Sequence, residues 1–354
     1  MSALRASLLR QIRAQGPISV ADYMTQCLLH PKHGYYATRD PLGAAGDFTT
    51  APEISQMFGE VIGLLLAQVW LDQGAPAGFT LAELGPGRGT LMADALRATA
   101  RVPGFHAALR LHLVEASPPL RAAQAARLEA FAPIWHDSAD TLPDQPLLLI
   151  ANEFFDALPI RQFLRQGAGW AERMIGAESD DLVLGLAPPA PLATLARRLD
   201  DTQEGQIVET CAPAQPVIEA IRRRIVAHGG FALIVDYGDW RSQGDTLQAL
   251  RAHRHDDPLA HPGEADLTAH VDFEALAEAA RPLRATELTP QGVLLERLGI
   301  TARAEALARS LSGSELESHI AAHRRLTHPG EMGHLFKALG LYPATAPPPP
   351  GFDA

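Results

Sequence analysis

The chain has 354 residues, of which 47% are hydrophobic and 20% are charged. This length predicts either one large α/β domain with additions or two unequal domains, and the composition excludes a fibrous repeat and a long disordered chain. The net charge of −11 argues against a protein that acts mainly by neutralising nucleic-acid phosphates.

Residues 1–75 have the pattern of a helical extension. Apolar positions recur at helical spacing over three segments, 2–14, 19–28 and 53–72. A glycine-rich loop lies between the second and third of these segments, and it contains Gly46, Asp47 and Phe48. Such a loop is either a lid or a packed connector.

Strands and helices alternate from residue 79 onwards, which is typical of a parallel sheet with crossover helices. We predict strands at 79–84, 109–115, 133–136 and 146–151. Helices at 89–100 and 117–130 join the first three strands through right-handed crossovers. The apolar segment 230–236 follows a helix at 216–228 and predicts another buried strand. We therefore expect a Rossmann-like α/β core over residues 76–160 and 228–290.

Shorter segments interrupt this rhythm at 160–165, 170–175 and 181–185, so we expect a small β-rich insertion over residues 160–215. Helical patterns at about 290–298, 301–311 and 314–325 predict a C-terminal helical region over residues 290–345. Four consecutive prolines at 347–350 cannot continue a helix or a sheet, so residues 346–354 are predicted to be a flexible tail.

Two groups of polar residues could suggest other functions, and we interpret both as surface. The arginines at 222–224 lie in a helical pattern and are expected on a solvated face. The irregular spacing in the histidine-rich loop argues against a metal site and favours loop residues or contacts to an acceptor protein. The residues of that loop are His253, His255, Asp256, His261 and His270.

The first strand of the predicted core leads into the loop Gly85-Pro86-Gly87-Arg88-Gly89, and a helix begins near Thr90. Open α/β sheets bind ligands at this junction, because glycine permits close approach and the helix N-terminus presents free N–H groups. The third glycine falls one residue earlier than in the dinucleotide fingerprint. The spacing therefore favours S-adenosyl-L-methionine, with the loop N–H groups meeting its carboxylate and Glu83 meeting its ammonium. A dinucleotide-dependent dehydrogenase is the alternative.

The predicted strand 109–115 ends in Glu115. A carboxylate at the end of the second strand of a nucleotide-binding sheet can accept hydrogen bonds from both ribose hydroxyls. Glu115 is therefore the candidate ribose ligand.

A third strand end, at 146–151, delivers Asn152, Glu153 and Asp156 to the same edge of the sheet. An acid that leaves a fully apolar strand is costly to bury unless it binds something, so we expect these residues to act in catalysis. Phe154 and Phe155 could stack on adenine or on a guanidinium, or could belong to the core.

Long segments of the chain resemble the MidA-like methyltransferases, a family that includes the mitochondrial factor for assembly of respiratory complex I. The segments that carry the resemblance are 18–24, 33–36, 46–60, 85–91, 152–159, 234–238, 263–273 and 289–295. The insertion at 165–200 and the proline tail resemble the family only loosely. The resemblance thus covers nearly the whole chain.

The resemblance implies a class I methyltransferase that transfers a methyl group from S-adenosyl-L-methionine to protein arginine. Symmetric dimethylation of a complex I subunit is the reaction implied for the family. The resemblance also places Gly46, Asp47 and Phe48 in a lid over the cofactor. A non-catalytic assembly scaffold that keeps the cofactor-binding fold is the alternative.

The chain is expected in the cytoplasm. Its two cysteines, Cys27 and Cys211, lack the spacing of a zinc site or a disulfide framework, and the N-terminus lacks an apolar signal core. The apolar runs are too short to predict an integral membrane segment. We expect a protein substrate and neither a metal nor a nucleic acid as partner. The sequence leaves monomer and homodimer open.

Overall fold

A computed structural model describes residues 2–38 and 50–353 of the chain. The chain divides into two compact units. We call residues 49–155, 215–240 and 273–354 the parallel-sheet unit, and residues 1–48, 156–214 and 241–272 the antiparallel unit. The predicted segments divide the chain differently, because residues 241–272 and the first two N-terminal helices belong with the predicted insertion, whereas the third N-terminal helix belongs to the parallel-sheet unit.

The described residues contain helices in both units. Their limits are α1 (Ala3–Gln15), α2 (Val20–Leu29), α3 (Tyr35–Thr38), α4 (Ala51–Ile54), α5 (Gln56–Asp72), α6 (Thr90–Thr99), α7 (Phe105–Ala108), α8 (Pro118–Leu128), α9 (Ala214–His228), α10 (Phe273–Ala279), α11 (Gln291–Arg297), α12 (Ile300–Ala308), α13 (Gly313–Thr327) and α14 (Met332–Leu335). Short 3-10 helices span Glu129–Phe131, Ala139–Thr141 and Ala193–Leu199.

The described residues also contain strands in both units. Their limits are β1 (Ile18–Ser19), β2 (Phe79–Leu84), β3 (Leu109–Val114), β4 (Ile134–His136), β5 (Leu147–Asn152), β6 (Arg161–Gln166), β7 (Gly169–Glu178), β8 (Asp181–Leu186), β9 (Ile207–Thr210), β10 (Gly230–Asp239), β11 (Gln248–Arg251), β12 (Arg254–Asp256), β13 (Asp266–Thr268), β14 (Val271–Asp272), β15 (Arg284–Ala285), β16 (Thr289–Pro290) and β17 (Phe336–Tyr342).

The parallel-sheet unit is built on a sheet with the strand order β15-β17-β10-β5-β2-β3-β4. The five strands from β10 to β4 are parallel, which confirms the predicted parallel sheet. The register places Leu84 of β2 opposite both Val114 of β3 and Ala151 of β5. The residues that follow β2, β3, β5 and β10 therefore lie along one edge of the sheet, which we call the carboxyl edge.

The core of this unit lies against both faces of β2 and β5, whose residues are all buried. Helices α5 and α6 pack closely on one another because α5 carries glycine at the contact. A Cβ atom on Gly63 would lie 2.6 Å from Cα of Ala95. The aromatic rings of Trp70, Phe79 and Phe105 pack together in the same core.

The C-terminal region differs from the prediction of helices over residues 290–345. Helices α11 to α14 are present, but residues Phe336–Tyr342 form strand β17. This strand pairs antiparallel with β10, with Leu341 opposite Ala232 and Phe336 opposite Tyr237. A seven-residue apolar segment has no clear period of its own, so its partner strand decides its conformation.

The proline-rich tail, predicted to be flexible, packs against the parallel-sheet unit. Phe352 contacts the hydrophobic core, and Arg297 forms an ion pair of 2.9 Å with Asp353. A Cβ atom on Gly351 would lie 2.8 Å from a methyl group of Leu294. Apolar contacts of the residues after the last proline therefore hold the tail in place. The run of prolines in the sequence gives no indication of these contacts.

The antiparallel unit contains the predicted β-rich segment. Strands β6, β7 and β8 correspond to the three predicted strands, and the sheet order is β1-β7-β6-β9 with β8 also paired to β7. A second sheet has the order β12-β11-β13. The predicted N-terminal helices are present as α1 and α2, and their buried side chains share a hydrophobic core with Ile175 of β7.

The arginine triplet is wrongly predicted at one of its three positions, because Arg224 is only 2% exposed. Its guanidinium donates hydrogen bonds to carbonyl oxygens of Asp140 at 2.7 Å, Pro143 at 2.9 Å and Ala220 at 2.7 Å. It also donates to the carbonyl oxygen of Leu142. A buried guanidinium with this many acceptors fixes the chain that leads into β5.

Arg224→Met is expected to lower the free energy of unfolding by about 2–3 kcal/mol, because several buried carbonyl groups lose their donor. Arg223→Met is the matched control, since the Arg223 side chain is 52% exposed. The control should change stability by less than about 0.5 kcal/mol. Urea unfolding followed by circular dichroism measures both, and equal effects would contradict the structural role of Arg224.

Candidate active site

The glycine loop between β2 and α6 has the backbone that its sequence predicts. Gly85, Gly87 and Gly89 have φ values of 60°, 54° and 76°, in the left-handed region that glycine adopts without strain. A Cβ atom on Gly85 would lie 3.1 Å from the ring of Phe154. The N–H of Gly89 donates to the carbonyl oxygen of Pro86 at 2.7 Å, which closes the loop directly before α6.

Glu83 lies in β2, just before this loop, and is 3% exposed. Its Oε2 atom has no hydrogen-bond partner among the described residues. Burial, and then the charge of Glu115, raises the pKa of Glu83 to about 8. A buried carboxylate oxygen without a partner is costly unless a cationic ligand meets it. The ammonium of S-adenosyl-L-methionine fits this requirement.

Glu115 follows β3 on the carboxyl edge and is 9% exposed. Its Oε1 accepts a hydrogen bond of 2.8 Å from the N–H of Ser117, and its Oε2 accepts one of 3.3 Å from Gln124. Burial is the main cause that raises the pKa of Glu115. Each carboxylate oxygen can accept more than one hydrogen bond, so capacity remains for two ribose hydroxyls.

Thr90, the first residue of α6, belongs to a polar group that sequence reasoning identified only in part. Its hydroxyl donates to Glu53 at 2.5 Å and accepts a hydrogen bond from Arg127. Arg88 of the glycine loop lies 4.0 Å from Glu53. Glu53 lies at the start of the predicted helix 53–72 and within the family segment 46–60, and its contact with Thr90 comes from the fold.

The turn after β5 holds Glu153 in an unusual conformation. Glu153 has a φ of 52°, a left-handed value that is strained for a residue with a side chain. Its Oε1 accepts hydrogen bonds from the N–H of Ala51 at 3.2 Å and from the amide of Asn152 at 3.0 Å. The Oδ1 of Asn152 is buried and has no partner among the described residues. Strained residues of this kind cluster at functional sites.

Asp236, at the carboxyl edge of β10, holds this turn and was not predicted as a site residue. It is 0% exposed. Its Oδ2 accepts hydrogen bonds from the N–H groups of Phe154 at 3.2 Å and Phe155 at 3.0 Å. An acid at the end of a buried strand was the signal in the sequence, since the same pattern identified Glu115.

Asp156 and three predicted lid residues are the remaining candidates. Asp156 begins the antiparallel unit, where it is buried and its charge contributes to raising the pKa of Tyr36. Burial is the largest cause of that rise, followed by Asp266, which accepts a hydrogen bond of 2.8 Å from the Tyr36 hydroxyl. The predicted lid residues Gly46, Asp47 and Phe48 lie outside the described residues. The predicted roles of all these residues stay predictions.

The histidine-rich loop lies in the antiparallel unit. His261 contacts Asp256 through a hydrogen bond of 2.7 Å. Over residues 2–38 and 50–353, no three His, Cys, Asp or Glu side chains are grouped to hold a metal ion. Across the same residues, every helix is too short or too polar to cross a membrane.

Comparison with known proteins gives a consistent result. A family model of S-adenosyl-L-methionine-dependent methyltransferases matches residues 61–292. The protein arginine methyltransferase NDUFAF7 of Homo sapiens, a mitochondrial protein by name, is 36% identical over 366 residues, which cover 95% of this chain and 82% of that protein. The homologue from Drosophila melanogaster is also 36% identical, with 95% of this chain and 85% of that protein covered.

A solved structure of similar fold contains a cofactor product. It is a COG1565 superfamily member from Burkholderia thailandensis bound to S-adenosyl-homocysteine, with a TM-score of 0.81 and 30% identity. The similarity covers 99% of this chain and 93% of that chain. A native structure of a superfamily protein from the same organism has a TM-score of 0.79 and 29% identity.

As pH increases towards 8, the affinity of the protein for S-adenosyl-homocysteine is expected to increase about tenfold for each pH unit. The reason is that Glu83 must lose its proton to bind the ligand ammonium. The free energy of unfolding of the free protein should fall as pH rises between 4.5 and 8, since the folded state binds the extra proton. Glu83→Gln should bind weakly and lose both dependences. Calorimetric titration at several pH values checks this, and an unchanged slope in the variant would refute it.

Proposed function

This chain belongs to the family of S-adenosyl-L-methionine-dependent methyltransferases, and we propose that it methylates an arginine side chain of a protein. Its curated relatives are named protein arginine methyltransferases, and the similarity extends over most of both chains. The observation that carries the proposal is Glu153 on the carboxyl edge. Its backbone is strained, and its carboxylate accepts hydrogen bonds from two donors. Glu83, Glu115 and the glycine loop on the same edge would hold the cofactor.

Glu153 has the properties that a guanidinium ligand needs. Two donors, Ala51 and Asn152, fix its Oε1 atom, so the orientation of the carboxylate is set before a substrate arrives. A guanidinium pairs with a fixed carboxylate through two parallel N–H donors. Asp236 supports this arrangement, because it holds the two peptide N–H groups that follow Glu153.

Methyl transfer to a guanidinium requires only one carboxylate beside the acceptor nitrogen. When bound, the cofactor supplies a methyl group on a positively charged sulfonium. The guanidinium nitrogen forms a bond to this carbon as the carbon–sulfur bond breaks, and the sulfur keeps the electron pair. The nitrogen also loses a proton, which would pass to solvent water. Glu153 would orient the nitrogen and stabilise the positive charge until that proton leaves. We assign supporting roles to Asn152 and Asp156.

We propose a respiratory complex I subunit, or an equivalent protein, as the acceptor and symmetric dimethylation as the outcome. Support for both comes from the resemblance to the MidA-like family. The proposed location is the cytoplasm, although the curated relatives are mitochondrial by name. Homodimer and monomer are both compatible with this activity.

Glu153→Gln is expected to lower methyl transfer to an arginine-containing protein about 100-fold, since it removes a charge that acts during transfer. Binding of S-adenosyl-homocysteine should change less than about threefold. The assay uses radiolabelled cofactor and complex I subunits, followed by mass spectrometry of the modified residue. Exposed Glu317 on α13 supplies the control variant Glu317→Gln.

Transfer by the Glu153 variant at the wild-type rate would remove its proposed role. Methylation of a residue other than arginine would overturn the acceptor assignment. A wild-type protein that binds the cofactor but transfers to none of the subunits would contradict complex I as the source of the substrate.

A further inference from the structure

Gln124 lies in the middle of α8 and is 0% exposed. No motif in the sequence singles it out. Helix α8 packs directly on the glycine loop, because a Cβ atom on Gly89 would lie 3.6 Å from Cγ of Gln124 and 3.2 Å from a methyl group of Leu128. A fully buried amide at this position has to find partners for both of its polar atoms.

The partners of Gln124 connect two separate parts of the carboxyl edge. Its Nε2 donates to the carbonyl oxygen of Gly87 at 2.7 Å and to Oε2 of Glu115 at 3.3 Å. Its Oε1 accepts a hydrogen bond of 2.8 Å from the indole N–H of Trp135. One amide thus bridges the loop after β2 and the carboxylate after β3.

The orientation of this amide follows from the chemistry of its neighbours. An indole nitrogen only donates, so the amide oxygen must face Trp135. The amide N–H groups then face Gly87 and Glu115, and both of these atoms are acceptors. The reversed amide would place a donor against a donor and an oxygen against two oxygens.

We propose that Gln124 is a positioning residue for the adenosine part of the cofactor. This inference rests on the proposed function, because it assumes that Glu115 binds the ribose. Ser117 holds one oxygen of Glu115 and Gln124 holds the other, so the plane of the carboxylate is fixed. The contact to Gly87 also fixes the following peptide, whose N–H points away from α8 because the peptide is planar and trans.

A purely structural role would give a different result from a positioning role. A buried glutamine that only fills space would affect the free energy of unfolding and leave ligand affinity unchanged. A positioning role requires donors directed at Glu115 and Gly87. The variants are therefore chosen to keep the shape of the side chain and to change its donors.

The test measures binding of S-adenosyl-homocysteine by calorimetry to the full chain and to Gln124→Leu and Gln124→Glu. Gln124→Leu removes both donors and should bind about 10- to 30-fold more weakly than the wild type at every pH. Gln124→Glu should bind more weakly still at pH 8, because it places a second negative charge beside Glu115. Its affinity relative to the wild type should recover towards pH 5.5, where the added carboxyl gains a proton and donates.

Gln145→Leu is the matched control. Gln145 is half-buried, and its amide donates to the Thr80 hydroxyl at 2.8 Å, at the opposite end of β2. This variant removes the same chemical group at a position remote from the carboxyl edge and should bind within about twofold of the wild type. Thermal unfolding of each variant confirms that it is folded, and the pH comparison of Gln124→Glu decides the matter if Gln124→Leu fails to fold.

Glu115→Gln separates this inference from the proposed function. If Glu115→Gln and both Gln124 variants bind as well as the wild type, the cofactor site itself is misassigned. If Glu115→Gln binds weakly while Gln124→Leu binds normally, the positioning role is overturned and the proposed function stands. A relative affinity of Gln124→Glu that does not change with pH also overturns the positioning role.

Discussion

The parallel register of β2, β3, β5 and β10 is the constraint on which the rest of the site depends. Because β2, β3 and β5 end level with the middle of β10, the acids Glu83, Glu115, Glu153 and Asp236 collect along one edge. Carboxylates that are grouped and mostly buried repel one another and lose hydration, so each needs donors. Backbone N–H groups supply several of these donors, whereas Oε2 of Glu83 has no partner among the described residues.

The donors come from turns that follow the strands and from the start of α4. The N–H of Ser117 donates to Glu115, and the N–H of Ala51 donates to Glu153. The N–H groups of Phe154 and Phe155 donate to Asp236. These contacts connect successive segments of the parallel-sheet unit through their acids. The strained backbone of Glu153 is maintained by this network, since its own N–H also donates to β10 at 2.9 Å.

The sequence predicts the parts of the site that depend on local pattern, and misses the parts that depend on distant pairing. Glu83, Glu115 and the glycine loop follow from strand ends and glycine spacing, which short segments encode. Gln124 and Arg224 look like ordinary helix residues, and only packing makes them buried donors. Strand β17 is short and, apart from Lys337, lacks polar residues that would give it a period, so it cannot be distinguished from a helix until β10 is known to lie beside it.

The position of β17 also determines the order in which the molecule is completed during synthesis. Strand β17, which pairs with β10 on one side, begins about one hundred residues after the end of β10. While the ribosome makes the intervening helices, β10 exposes a row of unpaired N–H and C=O groups. Strands of other nascent chains can form hydrogen bonds with this exposed edge. When β17 leaves the ribosome it pairs with these N–H and C=O groups of β10. A chain truncated before residue 336 would therefore be prone to aggregate.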